Sequence, residues 1–414
     1  MAPATVVTAT PGSFARGVLT ERHPALIRQV RDAFPYGPGQ RRALEVLLEE
    51  SAGGGPIGAV PEGWDEGYAG RSWFEVPFLW AEGCFYWRLL DAVGYFGAGP
   101  WQGIDPFGPA KRAELRGSAV AEELAALDGL TGLPTGARDR AVLHGSLWGN
   151  RADLGFRISA AAPTAAPTAG QTASTGAGAG AGAQQGQGPA GVRSVLVDDG
   201  DPLWKHAVPG GTVYVLADNA GRELIADLVL IDHLLHTGRA ATVVLHVKPH
   251  PYFVSDATTA DVVDCLRRIG EAEGRAGRVG GRLWQAMADG RLSVRAHPFS
   301  CAPLPYADMP ADLRNELARA TLVLAKGDLN YRRLVGDRHW PATTPFADRT
   351  AYFPGAALAA LRTLKSDVIT GLDPGTVAAL DGTGEPWRTT GTHAVIQLRQ
   401  PAAQSVAVRP AGPA

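Results

Sequence analysis

The sequence predicts an α/β fold: a three-layer α/β/α core on a mostly parallel sheet, with a helical region before it. Two observations support this. Apolar side chains recur at helical spacing from about residue 15 to 135, and short β-branched runs alternate with amphipathic stretches from residue 194 onward. Strands that alternate with helices form parallel sheets covered on both faces.

The helical region is predicted to span residues 1–135, with apolar spacing such as that of Leu44 and Leu47. It contains an aromatic stretch, Trp73 to Arg88, which is more typical of a buried core than of a ligand box. Glu82 lies within this stretch. A carboxylate among so many apolar side chains needs a partner or a function, so Glu82 is a candidate site residue.

The α/β catalytic domain is predicted at residues 136–158 and 194–400. Between them, residues 159–193 are almost entirely Ala, Gly, Pro, Ser, Thr and Gln, which predicts a disordered insertion in a surface loop. Residues 401–414 are expected to form a flexible tail. The predicted strands are 194–197, 212–216, 242–247, 292–295, 321–325 and 394–398.

Composition excludes several partners. The 39 Lys and Arg against 41 Asp and Glu residues give a net charge of -2 without a long basic run, so no nucleic acid is expected. Three cysteines without a CxxC pair argue against a disulfide framework and a structural zinc site. No bilayer-length apolar stretch or signal peptide is present, so we expect a cytoplasmic protein without a membrane partner. No oligomeric state is predicted.

Polar residues follow the predicted strands, where parallel sheets bind ligands. Asp218 and Asn219 come after strand 212–216, and Asp256 follows strand 242–247 through a short loop. Each residue alone could be a helix N-cap. Together, two carboxylates and a carboxamide offer oxygen ligands that suit divalent ions such as Mg²⁺ or Mn²⁺.

A third strand exit carries more polar groups than helix capping requires. After strand 321–325 the chain reads Lys-Gly-Asp-Leu-Asn-Tyr-Arg, from Lys326 to Arg332. Cations beside an oxygen-ligated metal suit a phosphate ligand, because metal and cation share its charge. Lys365 is a further candidate, although alone it would be ordinary basic decoration of a helix. Asn150, in a glycine-containing joining segment, could face the same crevice or belong to a plain loop.

In combination, these segments resemble the damage-control phosphatase family, in its acidic-residue methyltransferase-like subgroup. Asp-Asn-Ala-Gly from Asp218, the Lys326 to Arg332 segment and a late Arg-Thr-Leu-Lys form a specific combination. The similarity covers most of the chain outside the low-complexity insertion. The matching segments are Trp73 to Arg88, Ser146 to Leu154, Asp218 to Asp227, Lys248 to Asp256, Lys326 to Leu334 and Arg362 to Lys365.

The resemblance implies a helical N-terminal region on an α/β/α core, a divalent metal and hydrolysis of sugar phosphates. Mn²⁺ is the first choice of metal, with Co²⁺, Ni²⁺ or Mg²⁺ as alternatives. Glu223 matches a position linked to S-adenosylmethionine in the family. Cys84, Trp87 and Gly155 depart from the family pattern and leave the substrate open. The implied metal ligands are Asp218, Asn219 and Asp256, and the implied substrate wall comprises Asp328, Asn330, Tyr331, Arg332 and Lys365.

The predicted function is a metal-dependent phosphatase that hydrolyses small phosphorylated metabolites. In this hypothesis Lys365 and Arg332 bind phosphoryl oxygens, and either Asp218 or water is the nucleophile. One alternative is an S-adenosylmethionine-dependent carboxyl methyltransferase. The turn Asp198 to Asp201 disfavours it, because this turn has one glycine where such enzymes have a glycine-rich loop. The other alternative is a non-enzymatic protein that binds a metal and a sugar phosphate.

Overall fold

The computed structural model describes residues 4–64, 67–149 and 193–401. Seven strands form one sheet, and two short strands pair separately. The strands are β1 (Thr5–Val6), β2 (Ser194–Asp198), β3 (Thr212–Leu216), β4 (Thr242–Val247), β5 (Leu292–Ala296), β6 (Leu322–Lys326), β7 (Arg338–His339), β8 (Ala357–Thr363) and β9 (His393–Arg399). The order in the large sheet is β2-β9-β8-β6-β3-β4-β5.

Helices precede the sheet and connect its strands. A π-helical turn at Val18–Arg22 and 3₁₀ turns at Leu127–Leu130, Pro298–Cys301 and Tyr306–Asp308 complete the helical elements of the described residues. The α-helices are α1 (Phe14–Gly17), α2 (His23–Ala33), α3 (Pro38–Gly53), α4 (Phe78–Val93), α5 (Gly108–Arg116), α6 (Ser118–Ala126), α7 (Thr135–Trp148), α8 (Gly200–Leu203), α9 (Gly221–His236), α10 (Thr259–Gly270), α11 (Gly274–Ala288), α12 (Ala311–Leu317), α13 (Gly327–Val335), α14 (Phe346–Arg349) and α15 (Pro374–Asp381).

Strand direction places the candidate residues at one edge. β3, β4, β5, β6 and β8 run parallel, so their carboxyl ends meet there. β9 runs antiparallel to β8, and β2 pairs parallel with β9, so β2 ends at the opposite edge. The prediction of a mostly parallel sheet is confirmed. The Asp198 to Asp201 turn therefore lies at the other edge from the exits of β3 and β4.

Alternate strand residues pack into two separate apolar clusters, as the period of two requires. Tyr214 and Val244 face a cluster formed with α2, α3 and α4, whereas Val213 and Val243 face a cluster formed with α7, α9, α10 and α11. The sheet is therefore covered on both faces, which confirms the predicted three-layer core. Within the N-terminal helical region, α2, α3 and α4 pack in the first cluster, and α5 and α6 pack in the second.

One central strand was absent from the sequence prediction. β8 lies between β6 and β9, and all seven of its residues are buried. Its sequence, Ala-Leu-Ala-Ala-Leu-Arg-Thr, has no apolar and polar alternation because both faces of the strand are covered. Lys365 consequently follows a strand, and the alternative that it decorates a helix is wrong.

Parts of the predicted organisation lie outside the described residues. These parts are Asn150, the low-complexity insertion up to residue 192 and the tail from residue 402. The division of the chain into domains stays a prediction. Among the described residues, no helix combines the length and apolar character needed to cross a membrane.

Candidate active site

The loops that follow β3 and β4 lie side by side at the carboxyl edge of the sheet. Asn219 and Asp256 form an antiparallel bridge. The amide of Ala257 donates to the carbonyl of Asp218 at 2.9 Å. This backbone pairing brings the three predicted metal ligands together.

The side chain of Asn219 lies between two carboxylates. Its Nδ2 donates to Asp218 Oδ2 at 3.1 Å and to Glu223 Oε2 at 2.9 Å. Ser255 Oγ donates to Asn219 Oδ1 at 2.5 Å. Asp256 Oδ2 is buried and has no hydrogen-bond partner among the described residues. The set therefore contains a carboxylate oxygen whose desolvation no hydrogen bond offsets.

The electrostatics of this set favour a cation. Burial, followed by repulsion from Glu223 and Asp256, raises the pKa of Asp218 well above its usual value. Burial also raises the pKa of Asp256, while Lys248 and Lys111 oppose that rise. Oxygen donors crowded in a buried site suit a divalent ion that keeps some water ligands.

The donor set is small. Across residues 4–64, 67–149 and 193–401, no three His, Cys, Asp or Glu side chains gather closely enough to hold a metal. The candidate set fits a metal only if the Asn219 carboxamide joins the carboxylates of Asp218 and Asp256. The Asp256 oxygen without a hydrogen bond and the crowding around Asp218 are consistent with that fit.

A glycine allows the exit of β6 to approach this set. Gly327 has a φ of +81°, and a Cβ built on it would lie 1.8 Å from Asp218 Oδ2. No other residue type fits that space without moving the carboxylate. The sequence signal was the glycine itself, directly after a strand, but only the structure shows what it approaches.

Two lysines add positive charge. Lys248 directly follows β4, is buried, and its Nζ lies 3.7 Å from Asp256 Oδ2. Both Lys248 and Lys365 act through their charge to lower the pKa of Asp218. Lys365 has no ion pair within 4.0 Å to a carboxylate of the described residues. Lys248 was missing from the predicted site, although its place at a strand end was a usable signal.

Asp328, at the exit of β6, is held by the exit of β8. It accepts from Arg362 Nε at 2.7 Å and from Ser366 Oγ at 3.1 Å. Burial alone would raise the pKa of Asp328, but the guanidinium groups of Arg362 and Arg332 outweigh it and hold the pKa below its usual value. This carboxylate is therefore ionised and paired through its Oδ1.

The predicted residues Glu82 and Arg332 bind each other. Arg332 Nη1 donates to Glu82 Oε2 at 3.0 Å, and Arg332 Nε donates to Asp337 Oδ1 at 2.7 Å. Burial raises the pKa of Glu82, and Arg332 opposes the rise. The sequence argument that Glu82 needs a partner or a function is met by a partner 250 residues away.

The remaining candidates at the β6 exit also have protein partners. Lys326 is buried and its Nζ lies 3.1 Å from Asp227 Oδ1. Asn330 Nδ2 donates to the Ala217 carbonyl at 3.2 Å, which ties β6 to the β3 exit. The Tyr331 hydroxyl is hydrogen-bonded within the core. Substrate contact by these three residues stays a prediction.

Comparison with known proteins identifies the family of this chain. A family model described as the damage-control phosphatase ARMT1-like domain matches residues 18–380. The chain is 32% identical to damage-control phosphatase ARMT1 of Danio rerio over 353 residues, covering 80% of this chain and 75% of the relative. It is 33% identical to the Mus musculus protein of that name over 361 residues, covering 81% and 77%.

A solved structure of a DUF89 family protein from Pyrococcus horikoshii is similar at 14% identity and a TM-score of 0.49, covering 92% of this chain and 96% of that chain. The family match extends over the helical region and the strand exits described above. The chain therefore belongs to the damage-control phosphatase family, in its ARMT1-like group.

Proposed function

We propose that this protein is a metal-dependent phosphomonoesterase that hydrolyses small phosphorylated metabolites, with sugar phosphates as its substrate class. The observation that carries the proposal is the bridge between Asn219 and Asp256, which joins three oxygen donors at one edge of the sheet. Lys248 lies 3.7 Å from Asp256 Oδ2, and the charges of Lys248 and Lys365 both oppose the rise in the pKa of Asp218. Membership in a phosphatase family agrees with this arrangement.

In this proposal Asp218, Asn219 and Asp256 hold the divalent ion. Mn²⁺ is our first choice, with Co²⁺, Ni²⁺ or Mg²⁺ as alternatives. When bound, the ion polarises a phosphoryl oxygen and neutralises charge that develops there. The buried oxygen of Asp256 that accepts no hydrogen bond from the described residues supports the assignment.

The lysines supply the remaining positive charge. Lys365, which has no carboxylate partner within 4.0 Å among the described residues, binds a phosphoryl oxygen, and Lys248 stabilises charge beside Asp256. Arg332 already has two carboxylate partners, so we assign the larger share of phosphate binding to Lys365. Glu223, Asn150 and the Asp328 to Arg332 wall remain proposed substrate contacts.

The attacking oxygen belongs either to Asp218, which would give an aspartyl-phosphate, or to water. The two routes differ in whether phosphate becomes covalently attached to the chain. Rapid quenching of a single turnover with ³²P-labelled substrate separates them. Acid-stable label on the protein that disappears in Asp218→Asn would support attack by Asp218, and its absence would favour water.

The decisive experiment is a p-nitrophenyl phosphate assay of the EDTA-treated chain with a panel of divalent metals. We expect turnover to return with Mn²⁺, followed by preference for sugar phosphates in a phosphometabolite library. Failure of every metal to restore turnover would contradict the proposal that this protein is a metal-dependent phosphatase. Retained sugar phosphate binding in that case would favour the non-enzymatic binding protein.

A further inference from the structure

Lys111 belongs to α5 in the helical region, yet its side chain reaches the loop after β4. Its Nζ donates to the backbone carbonyl of Asp256 at 2.8 Å. The same atom lies 3.0 Å from Asp105 Oδ2 and 3.0 Å from Asp261 Oδ2. Lys111 is buried. An ammonium group has three hydrogens, so these contacts use its full donor capacity.

Two partners of Lys111, Asp256 and Asp261, flank the short segment that joins the loop after β4 to α10. Asp261 also accepts from the amide of Thr258 at 2.8 Å, as part of the capping box that begins α10. Ala257, between them, donates to the Asp218 carbonyl. The lysine therefore connects the candidate ligand Asp256, the first turn of α10 and Asp105 of the helical region.

Burying an ammonium group is unfavourable unless its partners are well placed. Here the partners are well placed, and one is the main chain of a candidate metal ligand. The third hydrogen of the ammonium group therefore binds the helical region directly to the main chain of the loop that bears Asp256. Residues that orient metal ligands from behind typically change metal affinity 10- to 100-fold when removed.

We propose that Lys111 is a positioning residue, which fixes the loop bearing Asp256 and thereby sets the affinity of the site for its divalent ion. The inference rests on the proposed metal site. It assigns to the helical region a role in metal binding, made through a backbone carbonyl and without contact to substrate.

The test compares the full chain with Lys111→Met, Asp105→Asn and a control, Arg112→Met. Asp105→Asn weakens one ion pair but keeps the side-chain oxygen that accepts from the amide of Phe107. Arg112 lies on the exposed face of the same helix, so its variant removes an equal charge elsewhere. Mn²⁺ dissociation constants are measured by calorimetry without substrate, and hydrogen exchange is followed in peptides covering residues 248–261.

We expect Lys111→Met to bind Mn²⁺ about tenfold more weakly and to exchange faster in this segment, with Asp105→Asn intermediate and Arg112→Met unchanged. If Lys111→Met fails to fold, Asp105→Asn alone decides the question. Wild-type Mn²⁺ affinity in the folded Lys111 or Asp105 variants would overturn the inference.

The same experiment separates this inference from the proposed activity. The wild-type chain could bind Mn²⁺ without phosphatase turnover while Lys111→Met binds Mn²⁺ more weakly. That result would support the positioning role and contradict the proposed phosphatase activity. Absence of Mn²⁺ binding in the wild-type chain would overturn the positioning role along with the metal site.

Discussion

The exits of β3 and β4 differ from the exits of β6 and β8 in how their charges are compensated. At the β3 and β4 exits, Asp218 has a strongly raised pKa, and Asp256 Oδ2 accepts no hydrogen bond from the described residues and has only a long ion pair to Lys248, at 3.7 Å. At the β6 and β8 exits, Asp328 has a lowered pKa and is ion-paired to Arg362. Buried, poorly compensated charge is found at one pair of exits, and paired charge at the other.

This difference indicates that the two pairs of strand exits have different roles, one in binding a cation and the other in stabilising the fold. Crowded carboxylates destabilise the folded chain and gain most from a bound cation, which is typical of functional sites. Paired charges fix the strand ends and give the site a rigid wall. We therefore expect substitutions at the β3 and β4 exits to reduce metal binding and turnover, and substitutions at the β6 and β8 exits to reduce the free energy of unfolding.

Loss of a carboxylate at the β4 exit should have the largest effect. Asp256→Ala removes a candidate metal ligand, and we expect metal-dependent turnover of p-nitrophenyl phosphate to fall by more than about 100-fold. Calorimetry should show loss of Mn²⁺ binding. Asp264→Ala, a mostly surface change on α10, is the control. Full activity of Asp256→Ala would contradict the assignment of Asp256 as a metal ligand.

The paired exits are tested by stability. Arg362→Met leaves the partly buried Asp328 without its main partner, so we expect the free energy of unfolding in urea to fall by about 3 kcal/mol. Asp218→Asn should not lower that free energy, because burial already disfavours the charged form of Asp218. Equal losses in the two variants would contradict the comparison.

The close approach of the β6 exit to Asp218 at the β3 exit is tested by substituting glycine residues. Gly336, which ends α13, has a φ of +88° and open space around its Cβ position, whereas the Cβ of Gly327→Ala would strike Asp218. Gly336→Ala should cost about 1 kcal/mol of stability from backbone strain alone. Gly327→Ala should cost more and also weaken Mn²⁺ binding. Unchanged Mn²⁺ affinity would show that Asp218 tolerates displacement.

The smallest effect concerns Asp227, an exception among the paired charges. Burial raises its pKa to about 6, with Lys326 opposing the rise. Because this folded-state pKa exceeds the unfolded value of 3.8, the chain should gain about 1 kcal/mol of stability from Asp227 as pH falls from about 7 to about 5. Asp227→Asn should lack this gain. Urea unfolding at both pH values measures the difference, and parallel changes would contradict it.

Much of the fold and of the β3 and β4 exits was predictable from local patterns. The bounds predicted for β3 and β4 match the structure, because β-branched runs end at polar turns there. β8 was missed since its first five residues are all Ala or Leu, which carry no alternating signal and no β-branched side chain. Lys111 was missed because a lone lysine on a helix has no feature that distinguishes a buried cation from a solvated one, whereas Lys248 had one usable signal, its place directly after β4.

The sequence by itself determined the fold class, the parallel core and the oxygen-rich character of the strand exits, since these depend on residues close together in the chain. Only the tertiary structure decided which charges are paired. Glu82 meets Arg332, and Lys111 meets the Asp256 carbonyl 145 residues away. Such pairing depends on which helix covers which strand end. Because a charged group loses its hydration there, its stability in the folded chain depends on whether an opposite charge lies within reach.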